Sequence, residues 1–558
     1  MKKSTIVILL AAIFVQFSCS VFKGPRFDAR SPILENKSPK FSKSDSLIGE
    51  HNQTFDVHYY DLEFDIDPAS KSINGLVKIY FKNKATENVV KFDLVKHLII
   101  DYVKLNGLDV KYTREYNSFF IDSLLEADKS YVVEIKYHGV PQVSKDPPWS
   151  EGFVWKLDYG ENDWVGVTCE GTGAHIWWPT KDDTMDEADS ARIKLIVPKG
   201  LKGISNGKLI EQGSEEGKDY YTWLVKNPIN TYNITAYIGN FEFFTIPYES
   251  VDGNTYDLSF YVLPKDLQKA KKHFKQTITV LEAFEYYFGV YPWWEDGYKL
   301  VQSPFEGMEH QSAIAYGYGF EYADHGYGDY IIVHETAHEW WGNSVTAKDF
   351  NDLWLQEGFA SYSEALMLEY VENRGEALEY LYFEHYLLMY NRKPVIGDYG
   401  VHYFDWDDTD IYDKGAATLD ALRLTMQNDF LFFDILKTFA SRYQKSLVET
   451  QDFIDLVTEK TGKDYTALFD VYLKQRKPPK LKFKVSKSKE EITLKWDRVP
   501  DKFMMPVYIY DYWGEEYIVF EVTNQSQTFE LKPIKGVLIQ NHIGYYKIRR
   551  FMNKYNLY

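Results

Sequence analysis

The hydrophobic pattern of this chain changes period twice, and one structural layer cannot accommodate that. From Phe55 the apolar positions alternate. Tyr60, Leu62, Phe64 and Ile66 stand between Asp61, Glu63, Asp65 and Asp67, as in a half-buried strand. Val77, Ile79 and Phe81 repeat the pattern, as do Val133, Ile135 and Tyr137. Asn106-Gly107, between Val103-Lys104-Leu105 and Leu108-Asp109-Val110, predicts a two-residue hairpin. After Pro264 the spacing becomes three and four, through Leu267, Ala270, Phe274, Ile278, Leu281, Phe284 and Phe288, which predicts an amphipathic helix. Helical patterns continue over 377–391, 416–428 and 431–443. Pro478-Pro479 ends them, and Leu481, Phe483, Val485, Ile492, Leu494 and Trp496 alternate again. The expected architecture is multidomain α+β: an antiparallel β domain over 51–245, a mostly helical domain over 246–477 and a small β domain over 478–558.

The first residues are read as an address rather than as structure. Lys2 and Lys3 precede an apolar run from Ile6 to Val15, the right length for a signal-peptide core and too short for a membrane span. Phe17-Ser18-Cys19 follows, resembling a bacterial lipoprotein signal over 1–19, with Gln16 where an aliphatic residue is usual. The expectation is export, with a lipid on Cys19 as the membrane contact; cleavage and secretion is the alternative. Residues 20–50, rich in Lys, Ser, Asn and Pro, read as a flexible tether. With 82 acidic against 63 basic residues the net charge is -19, so a nucleic-acid partner is not expected. Cys19 and Cys169 are the two cysteines, which leaves no disulfide framework and no CxxC site.

The chemistry concentrates in Ile331-Ile332-Val333-His334-Glu335-Thr336-Ala337-His338. Two histidines four apart on a helix share a face, so both imidazoles can reach one Zn²⁺ with Glu335 beside it as a base. A catalytic zinc takes a third protein ligand and keeps one position open. Glu357, in Asn351-Asp352-Leu353-Trp354-Leu355-Gln356-Glu357, can supply that ligand. Asp352 could orient a zinc histidine, or could equally cap the helix that carries Glu357. Cys169 reads as a buried small hydrophobe rather than a nucleophile.

The run His334-Glu335-Thr336-Ala337-His338-Glu339-Trp340-Trp341-Gly342-Asn343, followed by Trp354-Leu355-Gln356-Glu357-Gly358-Phe359-Ala360, resembles the M1 zinc aminopeptidases, which include aminopeptidase N and leukotriene A4 hydrolase. The resemblance implies an N-terminal β saddle, a thermolysin-like zinc peptidase domain and further C-terminal structure. It also implies one zinc per chain, held by His334, His338 and Glu357, with Glu335 activating the zinc-bound water. Glu306-Gly307-Met308-Glu309-His310 looks like the family's GxMEN exopeptidase signature, with His310 in place of Asn. Gly307, Met308 and above all Glu309 fall on the site for the substrate's α-ammonium, a group that a buried carboxylate pairs with strongly. Cys169-Glu170-Gly171-Thr172-Gly173-Ala174-His175-Ile176-Trp177-Trp178-Pro179 places Glu170 where aminopeptidases carry a second amine-binding carboxylate. Tyr412-Asp413-Lys414-Gly415 resembles the YxKG motif, whose tyrosine stabilises the oxyanion.

These implications converge on removal of the N-terminal residue from peptides with a free amine. Three rivals stand beside that expectation. One is an endopeptidase with the same zinc triad, another an epoxide hydrolase side activity, against which Glu170 tilts. The third is a peptide-binding protein with a vestigial site. Only about eighty residues follow Arg476, where the family often adds a large helical domain, so more open substrate access is expected.

Overall fold

The computed structural model describes residues 53–321, 328–396, 410–511, 516–532, 534, 536–539 and 543–550. The leader and the tether, with Gln16 and Cys19, lie outside them. No helix among the described residues is long and apolar enough to cross a membrane.

Alternation becomes strand throughout the first part. Leu62, Phe64 and Ile66 of Phe55–Asp67 are fully buried on one face. That strand lies inside an eight-stranded sheet. Its order is Lys208–Glu215, Lys218–Val225, Ser190–Pro198, Phe55–Asp67, Ser72–Asn83, Ser130–Gly139, Ile99–Leu105 and Leu108–Asp109. Neighbours are antiparallel except Phe55–Asp67 with Ser190–Pro198, which run parallel. At the hairpin Leu105 pairs with Leu108, and Asn106 and Gly107 have φ of 49° and 81°. A tight two-residue turn that matches the strand twist needs both in the left-handed region.

A five-stranded mixed sheet follows, in the order Glu242–Glu249, Thr255–Val262, Tyr298–Gln302, Ile314–Tyr316 and Gly307–Met308. Its two faces belong to different cores. Leu300, Ile314 and Tyr316 pack into the core of the helical region. Val301, Met308 and Ala315 pack into the core of the N-terminal sheets. Period-two geometry makes this division automatic, because neighbouring side chains point to opposite faces.

The helices are α1 (Leu267–His273), α2 (Gln276–Phe288), α3 (Tyr330–Ala337), α4 (Trp354–Val371), α5 (Arg374–Tyr380), α6 (Asp410–Met426), α7 (Asp429–Arg442), α8 (Thr450–Thr461) and α9 (Thr466–Phe469). The continuous pattern after Pro264 is thus two helices rather than one. At the break the backbone bonds tighten to three residues, Thr277 N–H to the Phe274 carbonyl at 3.1 Å and Ile278 N–H to that of Lys275 at 3.3 Å, and Gln276 Nε2 donates to the His273 carbonyl. The pattern over 377–391 begins in α5 and continues as a wider π turn over Leu381–Tyr386.

Beyond the helices, one four-stranded and one three-stranded sheet form from Lys480–Val485 onward. Leu481, Ile492, Trp496 and Met505 join the same hydrophobic core as Tyr472 and Leu473, so this C-terminal part shares its core with the helices.

Two glycines bring α4 and α6 together. A Cβ built on Gly358 would lie 2.6 Å from the Gly415 Cα, and the reciprocal contact is equally close. Backbone on both sides leaves a methyl no room to move into. Gly358→Ala is expected to destabilise the protein by about 1–3 kcal/mol through overpacking, read as a lowered urea midpoint. Wild-type stability would show that the helices do not pack this closely.

Candidate metal centre and active site

The metal-ligand set is assembled from two helices. The Asp329 carboxylate accepts the Ile331 amide and starts α3, which ends just before His338. One turn separates His334 from His338, so their rings meet with centroids 4.7 Å apart. A short turn, Phe350–Asp352, precedes α4 and is capped by Asp349, which accepts from the Asn351 amide. Glu357 then lies in the first turn of α4. Ligand atoms of His334, His338 and Glu357 all fall within 4.8 Å of one another.

The hydrogen bonding of these side chains fits a bound cation. His334 Nδ1 lies 2.7 Å from Glu364 Oε1, and His338 Nδ1 lies 2.8 Å from the Trp341 carbonyl. Both partners only accept, so both Nδ1 atoms carry hydrogen. The two Nε2 atoms face each other at 3.1 Å and stand 3.4 and 3.3 Å from Glu357 Oε2. That oxygen makes no hydrogen bond. Ligand bonds of about 2.0–2.1 Å in a tetrahedral site give edges of about 3.3 Å, close to all three separations. Burial alone would raise the Glu357 carboxyl, but the His338 and His334 imidazoles outweigh it and hold it at about 2.

Glu364 was not singled out by sequence reasoning, although it carried a signal. It follows Glu357 by two helical turns on α4 and so shares its face. Its carboxylate also accepts a hydrogen bond from the Tyr380 hydroxyl, and His385 Nε2 lies 3.7 Å from it. His385 Nδ1 in turn sits 2.8 Å from Asp413 Oδ1, next to Tyr412 in the first turn of α6. The Tyr412 ring lies over that of His334, with centroids 6.1 Å apart and planes inclined by 26°. Asp352 takes no part in orienting a histidine. It accepts from the Thr450 amide and hydroxyl, and that hydroxyl accepts from Trp354 Nε1.

The sheet supplies the next group of residues. Gly307 and Met308 form its edge strand, opposite Tyr316 and Ala315. A Cβ built on Gly307 would come 2.4 Å from Glu335 Oε1, so the glycine makes room for that carboxylate. Burial pushes the Glu335 carboxyl up to about 8, His334 and His338 pull it down, and Glu309 raises it. Met308 is buried in the N-terminal core. Glu309 is buried, and its Oε1 accepts from the Tyr232 hydroxyl at 3.0 Å. Asn343 Nδ2 donates to its carbonyl and in turn accepts, through Oδ1, from Asn233 Nδ2. The N-terminal domain therefore holds the Glu309 side chain directly through Tyr232 and its backbone indirectly, through Asn233 on Asn343.

His310 turns away into packing. Tyr237 donates its hydroxyl to the Ala313 carbonyl and lies 2.6 Å from His310 Nδ1, so the imidazole is the donor in that contact. Burial holds the ring neutral, with a pKa of about 3. Glu170 joins the same cluster from the β domain. Burial raises its carboxyl strongly, and Glu309, Glu357, Glu151 and Glu335 add to the effect. Its Oε1 is buried and makes no hydrogen bond. Glu170 and Tyr232 line one small cavity with Asn230, Phe350, Leu353 and Gln356. Cys169 is free and buried, with burial raising its thiol far out of the reactive range.

Comparison with known proteins follows the same division. The sequence profile of the Peptidase M1 N-terminal domain matches residues 57–233, and that of the Peptidase family M1 domain matches residues 273–472. Among curated relatives, a leucyl aminopeptidase of Saccharolobus solfataricus is 27% identical over 319 residues, covering 55% of this chain and 38% of its own. A glutamyl aminopeptidase of Bitis rhinoceros is 23% identical over 443 residues, covering 71% and 45% respectively. The chain thus spans less than half the length of these relatives. Among solved structures, an M1 zinc metallopeptidase of Deinococcus radiodurans superposes with a TM-score of 0.65 at 21% identity, over 76% of this chain and 96% of that one. Two profiles of one family cover most of the described chain, and the ligand set sits where the second of them matches. This chain is a member of peptidase family M1.

Proposed function

We propose that this protein is a zinc-dependent aminopeptidase that removes the N-terminal residue from peptides. The observation that carries the reading is the placing of Glu309 and Glu170 beside the His334–His338–Glu357 set. Burial raises both carboxyls, with Glu309 adding to the effect at Glu170 and Glu357 at Glu309; an ammonium group would offset that charge, and a peptide's free N-terminus brings one. The aminopeptidase names of the relatives support it, as does the binding of a Tyr-Ser-Ala substrate by the Deinococcus radiodurans enzyme.

In this reading Glu309 and Glu170 hold the α-ammonium, so that only the first peptide bond is presented for attack. His334, His338 and Glu357 would hold the zinc, which when bound would supply a Lewis acid for the scissile carbonyl and acidify the attacking water. Glu335 takes one proton from that water as its oxygen bonds to the carbonyl carbon. A nearby cation lowers the Glu335 carboxyl from its raised value toward that of a working base. Tyr412 donates a hydrogen bond to the developing oxyanion. Glu335 then delivers its proton to the departing nitrogen as the C–N bond breaks, releasing the amino acid and the shortened peptide. Glu364 fixes the His334 ring and tautomer, and the Trp341 carbonyl does the same for His338.

Aminoacyl fluorogenic amides assayed beside their N-acetylated counterparts test the exopeptidase assignment. Chelator-sensitive cleavage of the free-amine series alone is expected, with Glu309→Gln raising KM. Cleavage of blocked peptides would assign the protein to the endopeptidases. Tyr412→Phe is expected to lower kcat by about 10²–10³ with little change in KM; an unchanged kcat would remove Tyr412 from the mechanism. Metal binding separates two further glutamates. Glu335→Gln should abolish turnover while retaining zinc, whereas Glu364→Gln should weaken zinc binding by about tenfold in chelator competition. Equal zinc affinity in wild type and Glu364→Gln would leave Glu364 without a role at the metal.

A further inference from the structure

Glu170 reaches the site from a turn, and a turn does not hold a side chain as a helix does. Cys169 closes this one by accepting the Gly173 amide at 2.7 Å. The two residues after Glu170 give their backbone N–H groups to a single acceptor. Glu151 Oε1 accepts from Gly171, and Oε2 accepts from Thr172, each at 2.5 Å. One carboxylate thus brackets two consecutive amides directly behind the proposed amine-binding group.

The mounting of Glu151 is itself firm. Its carbonyl accepts from Gln142 Nε2 at 3.0 Å. The next residue, Gly152, has a φ of 129°, and a Cβ there would come 2.6 Å from the Gln142 carbonyl oxygen. Phe153 then exchanges backbone hydrogen bonds with Gln142 and Ser144 and buries its ring in the N-terminal core. The carboxylate therefore hangs from a strand end fixed on both sides.

Glu151 is 8% exposed, and no lysine, arginine or histidine pairs with it among the described residues. Burial pushes its carboxyl up to about 7 against the Thr172 hydroxyl and the two amide hydrogen bonds. A buried unpaired carboxylate is a costly way to hold a turn, and a neutral side chain could cap one amide without that cost. What the carboxylate adds is two acceptors at once, so that neither amide is left unsatisfied.

We infer that Glu151 is a positioning residue for the substrate's amine, clamping the Glu170 turn so that the Glu170 carboxylate faces the α-ammonium. This rests on the reading of Glu170 as an amine-binding group. A glutamine at position 151 would turn an NH₂ toward one of the two amide donors and open the bracket, while an aspartate keeps two acceptors but withdraws them.

The test is steady-state kinetics on aminoacyl amides with zinc-loaded wild type, Glu151→Gln, Glu151→Asp, Glu170→Gln and the double variant Glu151→Gln/Glu170→Gln. Glu151→Gln is expected to raise KM by about tenfold, the worth of one lost charge-assisted hydrogen bond, with kcat within about twofold. Glu151→Asp should fall between it and wild type, which keeps the test open if the glutamine variant fails to fold. The double variant should be no worse than Glu170→Gln alone, because the clamp acts only through Glu170. A KM raised by Glu170→Gln but not by either Glu151 variant would overturn the clamp and leave the amine site standing. Additive effects in the double variant would also overturn it. A Glu170→Gln enzyme with wild-type KM would overturn the amine role of Glu170 and the clamp with it.

Discussion

The sheet from Glu242 to Tyr316 has to satisfy two hydrophobic cores at once, and the site depends on that double burial. Val301, Met308 and Ala315 on one face belong to the N-terminal core, while Leu300, Ile314 and Tyr316 on the other belong to the helical core. A slip of one residue would exchange every side chain between the faces. Register is therefore strongly specified, and with it the edge strand Gly307–Met308 and the Glu309 that follows. This sheet meets α3 at Gly307 against Glu335 and again at the Tyr298 hydroxyl, 2.9 Å from that of Thr336.

Carboxylates dominate what is gathered there. Burial and neighbouring carboxylates raise Glu309, Glu335 and Glu170, while His334 and His338 pull Glu357 down and partly offset the rise at Glu335. Such a cluster is costly when empty of cations. A metal at the imidazoles and an ammonium at Glu309 and Glu170 would relieve it at two separate points. On the proposed reading, one point would polarise the scissile group while the other anchors the substrate's amine.

Rigidity around the cluster comes from distant pairs. Tyr232 reaches Glu309 from 77 positions away, and Glu151 reaches the Gly171 amide from 20 away. The line from His334 through Glu364 and His385 to Asp413 ties α4 to the first turn of α6, where Tyr412 lies over His334. The Gly358–Gly415 contact fixes the same pair of helices by close approach. The candidate metal ligands and Tyr412 are thus held by two independent constraints.

Local geometry explains how much of this was legible in the sequence. His334 and His338 could be read because a helix places residues four apart on one face whatever it packs against. The strands from Phe55 to Gly139 and the Asn106-Gly107 turn were legible for the same reason, since period and turn chemistry are properties of short segments. The two-turn spacing of Glu364 from Glu357 was there to be read as well. The sequence carried no sign that the helix after Pro264 divides, because the break is a local tightening of backbone bonds at Phe274 and Lys275 within an unbroken apolar pattern. Nor could it reveal that Asp352 serves Thr450, that His310 turns to Tyr237, or that Glu151 brackets the Glu170 turn. Those contacts are fixed by how two cores close around one shared sheet, and no short stretch of sequence encodes a distance between segments that meet only when both cores are packed.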